Sequence, residues 1–247
     1  MVDNISGGRV ALAIASGWHK PAFVLNPAAF ADRRERLERD IAMIRRLWAG
    51  ETVSFPGVDG EQVGVVAYPR PIQRKLDIWL TASSSDSWVR AGKLGANVLC
   101  LLGSSDAQLE KLVTSYRSAR ASFGHDPRGG EVTVMVHTYL HPDLAVAKCK
   151  VRVPLMNYLK EHMTQKFGSC GSELEHQMTS RQNELLEFGF EKRFQDSLIG
   201  PKEKCRSLLQ KLSKAGATEV ACLVDFGLSK TDVLAGVHLL AELLPTK

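Results

Sequence analysis

Behind Gly7-Gly8-Arg9, an unbroken apolar run from Val10 to Ala15 predicts a strand buried on both faces of a parallel sheet. Asn26-Pro27 then reads as a cap followed by a first-turn proline. Apolar residues at Phe30, Leu37, Ile41, Ile44 and Trp48 carry the helical spacing onward. Thr52 to Phe55 and Val63 to Val66 flank an Asp59-Gly60 turn signal and predict a hairpin, after which Pro69 and Pro71 hold the chain extended. From there strand and helix patterns alternate. Strand Ile78 to Ala82 leads to a helix through Trp88 and Leu94 that ends at Gly95, and strand Asn97 to Leu102 leads to a helix from Leu109 to Phe123 that stops at Gly124. Strand Val132 to Leu140 precedes a helix from about Asp143, which Pro154 is expected to kink.

The stretch from Thr164 to Arg181 is polar and poorly periodic and reads as a surface insertion or lid. Helix Glu184 to Phe194, a helix opened by Pro201 and closed by Gly216, strand Val220 to Val224 and a last helix from Lys230 to Leu244 complete the pattern. Five strands in series, each followed by helical material, are expected to be parallel. They fit either a doubly wound sheet or a barrel.

The 247 residues suit one α/β barrel, which takes about 250, so a single domain over 1–247 is expected, with excursions at 51–68 and about 164–181. A composition of 44% hydrophobic and 24% charged residues argues against a disordered or fibrous chain. The net charge of +5 raises the question of nucleic acid, but the basic residues alternate with acidic ones, as in Arg33-Arg34-Glu35-Arg36, and no basic tail accompanies them. Nucleic acid is therefore not expected, while a small anionic ligand is compatible. The five cysteines are widely spaced and form no C-x-x-C pair, so neither a disulfide framework nor a metal site is indicated, and they read as packing residues of a cytoplasmic protein. No apolar run reaches the roughly 20 residues of a membrane span.

In parallel α/β folds ligands bind beyond the carboxyl ends of the strands. Ser83-Ser84-Ser85 lies between a strand and a helix start, where backbone amides, the helix dipole and hydroxyls converge on an anion. A serine that simply caps the helix explains the same residues equally well. Ser16-Gly17 places two small residues at a strand end, letting a flat or phosphorylated ligand approach the backbone with Trp18 as one wall; a tight turn beside a core tryptophan is the alternative. Arg33 and Arg34 begin the next helix and can reach a bound phosphate, or Arg34 can pair with Glu38 one turn on. His137, inside a strand, reads as a hydrogen-bonded core or lumen residue rather than a base.

These residues carry a family resemblance. Asp3-Asn4-Ile5-Ser6-Gly7-Gly8-Arg9, the following apolar strand and Gly17-Trp18 resemble the signature strand of the luciferase-like monooxygenases. Pro69-Arg70-Pro71-Ile72-Gln73, Trp79-Leu80-Thr81-Ala82 and the stretch from Ala217 to Gly227 extend the likeness nearly end to end. The resemblance is to an FMN-dependent branch associated with peptide and polyketide assembly lines. It implies a partial (β/α)8 barrel in which strands 4 to 8 are present and three earlier β-α units are absent, a truncated sequence being the expected cause. It implies reduced FMN as cofactor, with Ser16, Gly17, Trp18, Arg34, Thr81, Ala82, Ser83, Ser84 and Ser85 around the phosphate, and the Ser-rich turn departs from the family's usual residues there. The implied partners are a small organic substrate, O2 and a flavin reductase, with homo- or hetero-oligomers or an assembly-line enzyme as further candidates. No catalytic base carries over, because the missing units would supply it. A non-catalytic partner subunit and a deazaflavin-dependent oxidoreductase are the alternative readings.

Overall fold

The structure is a computed structural model that describes residues 1–103, 106–167 and 180–243. The chain clusters into two units, Met1–Leu99 with Ser115–Gly130 and Cys100–Thr114 with Glu131–Lys247.

The first unit opens with a short helix, α1 (Val2–Ser6), which Gly7 ends in the left-handed conformation at φ 67°. Strand β1 (Ala11–Ile14) pairs in parallel with β4 (Asp77–Thr81), Ala11 opposite Asp77 and Ile14 opposite Leu80, and β4 pairs in parallel with β5 (Asn97–Leu101). Asp3 fastens the start of this sheet. Its carboxylate accepts from the amides of Ile72 and Gln73 at 2.6 and 3.0 Å and from Gln73 Nε2 at 2.7 Å, while the same Nε2 reaches the Val10 carbonyl at 2.8 Å.

The expectation that β1 is buried on both faces is not met. Ala11 and Ala13 are exposed while Leu12 and Ile14 are half-buried, and β4 is the strand's one partner among the described residues. A continuous apolar run shows that both faces are apolar without showing that both are covered.

The helix expected from Pro27 is divided in two. Pro27–Phe30 forms a 3-10 turn, and the α-helix α2 (Arg33–Trp48) begins three residues later. A continuous helix would give the Phe30 carbonyl to the amide of residue 34; here Arg33 Nη1 takes it at 2.7 Å, with the guanidinium 4.2 Å above the Phe30 ring. The predicted hairpin is present as β2 (Val53–Pro56) against β3 (Gln62–Val65).

Helix α3 (Ser85–Lys93) and the second half of α4 (Asp106–Ser122) cover the unit's interior. Trp88 and Tyr116 meet edge to face at 6.4 Å, and the buried Tyr116 hydroxyl donates to the Ala96 carbonyl at 2.8 Å. Gly92 lets the two helices approach, since a Cβ there would lie 2.5 Å from the Tyr116 carbonyl oxygen.

In the second unit, β6 (Val132–Leu140) has the bounds that its sequence predicts. Its first half pairs in parallel with β8 (Glu219–Leu223) and its last three residues with β7 (Leu198–Gly200). Three residues carry no periodicity, and β7 was not predicted. Helices α5 (Leu144–Phe167) and α6 (Ser180–Gln195) pack with Tyr139, Ile199 and Phe226 around Ala147, Val151, Leu155, Phe190 and Phe194. Pro154 lies within α5. Residues 168–179 of the expected 164–181 insertion lie outside the described residues, and the flanking residues are the helical ends of α5 and α6. Helix α7 (Lys202–Lys214) follows Pro201 at its N-cap, and α8 (Lys230–Ala241) is capped by Ser229, whose hydroxyl accepts from the Asp232 amide at 3.1 Å. No described helix is long and apolar enough to cross a membrane.

Candidate cofactor site

The turns after β1 and β4 meet in a cleft of about 110 Å³, wholly within the first unit. Ser16, Gly17, Trp18, Arg34, Thr81, Ser83 and Ser84 line it, all anticipated from sequence, together with Arg33, Leu37, Leu80, Asp86, Ser87 and Arg90. Ala82 and Ser85 do not. Ala82 is buried and its amide donates to the Leu99 carbonyl at 2.9 Å, so it belongs to the sheet; Ser85 opens α3 with its side chain exposed.

Gly17 makes the first wall. Its φ is +76°, and a Cβ there would stand 2.7 Å from Phe23 Cζ. Arg33 fixes this turn by donating from Nε to the Gly17 carbonyl at 3.1 Å while Nη1 holds Phe30. Arg33 therefore serves mainly as a clamp. Trp18 is 53% exposed beside it, which corrects the alternative of a core tryptophan.

Neighbouring Arg34 is exposed and makes no hydrogen bond or ion pair within the described residues. The anticipated pairing of Arg34 with Glu38 does not form, because Glu38 is held from the other side by Arg90 and by Lys93 at 3.4 Å. Arg34 is thus left as an available guanidinium.

The second wall shows both readings of the serine run at once. Ser84 is the N-cap of α3 and forms a capping box with Ser87. The Ser87 hydroxyl accepts from the amides of Ser83 and Ser84 at 3.0 and 2.9 Å and donates to the Ser84 carbonyl at 2.6 Å. Two amides expected to face an anion are thereby spent. The next two, of Ser85 and Asp86 in the first turn of α3, donate to no described protein atom, and neither do the hydroxyls of Ser16, Thr81 and Ser83. Sequence reading gave no role to Asp86, Ser87 or Arg90, although Ser84, Ser87 and Arg90 follow the three-residue spacing that places side chains on one helix face.

In the second unit His137 is 1% exposed and neither ring nitrogen has a partner, which corrects the expectation of a hydrogen-bonded histidine. The rings of Tyr158 and Phe226 stand edge-on to it at 4.7 and 5.2 Å. Burial, and secondarily the charge of Arg193, lowers its pKa to about 4. Cys100 and Cys205 are buried packing residues, burial pushing the Cys100 thiol up to about 12, whereas Cys149 and Cys222 are exposed and Cys170 lies outside the described residues. Among the described residues no group of side chains is arranged to hold a metal.

The profile of the family described as luciferase-like monooxygenase matches residues 1–219. The chain belongs to that family. Among curated relatives, the F420-dependent glucose-6-phosphate dehydrogenase of Microbacterium testaceum is 27% identical over 163 residues, 64% of this chain and 48% of its own. The chain thus spans about half the length of that relative. Among solved structures, monooxygenase RslO1 from Streptomyces bottropensis superposes with a TM-score of 0.75 at 21% identity, covering 99% of this chain and 70% of that one. The oxygenating constituent of 3,6-diketocamphane monooxygenase from Pseudomonas putida, solved with FMN, gives 0.63 at 18% identity, covering 90% and 66%. The fold is accordingly α/β, a partial (β/α)8 barrel of the luciferase-like type, and its family members are oxidoreductases.

Proposed function

We propose that this luciferase-like protein is an oxidoreductase that holds the phosphate-bearing tail of a reduced flavin-type cofactor in the cleft between the Ser16 and Ser83 turns. The observation that carries the proposal is the convergence of three residues with uncommitted hydroxyls, the uncommitted Arg34 and the uncommitted Asp86 amide on a single small space at the start of α3. The fit is to a phosphoryl group. Pockets that enclose a whole drug-sized ligand run from about 300 to 1,000 Å³, whereas this cleft measures about 110 Å³. A tricyclic ring must lie beyond it.

Arg34 supplies the countercharge; Ser16, Thr81 and Ser83 donate through their hydroxyls, and the amides of Ser85 and Asp86 add the helix-start field. Gly17 gives the turn its positive φ against the Phe23 ring, and Trp18 offers an aromatic wall. When bound, the reduced cofactor supplies the electrons, and the protein supplies orientation and charge.

The first form of this reading is an FMN-dependent monooxygenase with a small organic substrate, O2 and a separate flavin reductase as partners. It is supported by the family match and by likeness to an FMN-bound structure. The second form, hydride transfer by the deazaflavin F420, is favoured by curated relatives of that dependence. Anaerobic fluorescence titrations with reduced FMN and with F420 test both. Arg34→Ala is expected to weaken binding of the favoured cofactor about tenfold, the lower part of the range for a hydrogen bond to a charged group. Undiminished affinity in that variant, or no binding of either cofactor by the native chain, overturns the proposal.

A further inference from the structure

We infer that a second copy of this chain pairs with the free edge of β3, antiparallel about a two-fold axis at Gly64, so that the hairpin of β2 and β3 is a dimerisation arm. The inference does not depend on the cofactor cleft.

The hairpin ladder decides which backbone groups are free. β2 is the one strand paired with β3 among the described residues. The Gly57 amide donates to the Glu61 carbonyl at 2.7 Å, and Pro56, which has no amide proton, stands opposite Gln62. Bonded and non-bonded pairs alternate along an antiparallel ladder. The bonded pairs are therefore Phe55 with Val63 and Val53 with Val65, and the N–H and C=O groups of Gln62 and Gly64 point away from β2. All of Gln62–Val65 is exposed. This edge carries none of the charges or prolines that ordinarily keep an edge strand from pairing with another chain.

The side chains favour a copy of the same edge. Residues opposite one another in a ladder share a face, so Val53, Phe55, Val63 and Val65 lie together. α2 packs against β2, and Val53 is buried, Phe55 half-buried, and Val63 and Val65 are 48% and 39% exposed. The apolar face thus continues to the edge and ends there uncovered. With Gly64 opposite Gly64 of the second copy, each Val63 meets the other copy's Val65, which prolongs this face across the axis.

The same register sets the hairpin tip of one copy beside the hairpin base of the other, Val58 coming opposite Arg70. Val58 is fully exposed at the tip, and Tyr68 and Ile72 are 77% and 58% exposed at the base. Beside them stand one acid and one base, Asp59 and Arg70, neither of which makes an ion pair among the described residues; the Arg70 guanidinium rests on the Tyr68 ring at 5.0 Å. A two-fold axis brings Asp59 to the second copy's Arg70 twice. Parallel docking would instead oppose carboxylate to carboxylate.

Sedimentation velocity of the full chain from about 1 to about 100 μM reads the outcome, the span in which a small interface associates. The native chain is expected to approach twice its 27.2 kDa mass as concentration rises. Gln62→Pro removes an outward amide without touching a bond to β2, and Val63→Lys puts a cation on the edge; each should weaken association at least tenfold. Asp59→Arg alone and Arg70→Asp alone should each weaken it about tenfold, since two attractions per dimer become repulsions. The two combined should restore it, which separates lost pairing from lost folding. A native chain that stays monomeric throughout, the edge then being left to a different protein, overturns the inference. So does a dimer that Gln62→Pro and Val63→Lys leave intact, or a combined exchange that restores nothing.

Discussion

Replacing Gly17 with alanine tests whether the first wall of the cleft is a built conformation or an incidental turn. Two terms oppose the substitution. The backbone there has φ +76°, where a residue bearing a Cβ is strained by about 1–2 kcal/mol relative to glycine. The new methyl would also stand 2.7 Å from Phe23 Cζ and 2.8 Å from Phe23 Cε2. Phe23 cannot simply swing aside, because it packs edge to face on Phe30 at 5.1 Å and Phe30 lies beneath the Arg33 guanidinium. Overpacking of that kind costs about 1–3 kcal/mol. The sum predicts a loss of roughly 2–5 kcal/mol, read as a lower urea midpoint at unchanged slope. The same strain moves the Gly17 carbonyl, releases Arg33 Nε and reshapes the wall beside Ser16, so cofactor affinity should fall with stability. A variant with the native midpoint and native cofactor affinity would refute the reasoning, since it would show that the turn relaxes freely and constrains nothing.

Other positions give equally direct expectations. Tyr116→Phe should destabilise the protein by about 1–2 kcal/mol, a buried hydrogen bond to the Ala96 carbonyl being lost, and a change below half of that would place the hydroxyl in water instead. His137 is held neutral in the folded state, with its pKa lowered to about 4 chiefly by burial, so the unfolded chain binds the extra proton first. Stability is therefore present above about pH 6.5 and is lost as the pH falls toward 4, by up to about 3 kcal/mol, and His137→Leu should flatten that decline in urea midpoints measured at pH 7 and 5. Asp3 shows the opposite case. Burial alone would raise its pKa, but bonds from the Gln73 side chain and from the Gln73 and Ile72 amides outweigh it and lower the pKa. Its stabilisation is present above the ordinary carboxylate range and is lost as the pH drops through the folded value; Asp3→Asn should remove that acid dependence and lower the midpoint at neutral pH.

The parts of the fold that were legible in the sequence are those whose signal is local and long. Strand β6 has nine residues, Val132–Leu140, bounded by turn residues on both sides, and it was placed to the residue. The hairpin and the helices ending at Gly95 and Gly124 rest on the positive φ of Gly60, Gly95 and Gly124, which the sequence signals through glycine itself. What was misplaced depends on side-chain and strand partners that periodicity does not report. Whether β1 is covered on one face or two depends on its neighbours, and the break before α2 depends on which donor takes the Phe30 carbonyl.

The site divides in the same way. That the turns after β1 and β4 share a cleft follows from strand order in a parallel sheet, and seven of the nine anticipated residues line it. Which donors remain available does not follow. Arg34 is uncommitted only because Arg90, 52 positions from Glu38, has taken its expected partner, and two amides are committed only because Ser87 turns its hydroxyl back toward them. The first competition is settled by a tertiary contact that no spacing rule reports, and the second by a local capping box whose spacing was present in the sequence.

The account stands most directly on where a bound cofactor puts its phosphorus atom. A crystal structure of the protein soaked with FMN or F420 is expected to place the phosphate oxygens within hydrogen-bonding distance of Arg34 and of at least two of the Ser16, Thr81 and Ser83 hydroxyls. A cofactor bound with its phosphate outside the space between the Ser16 and Ser83 turns would contradict it.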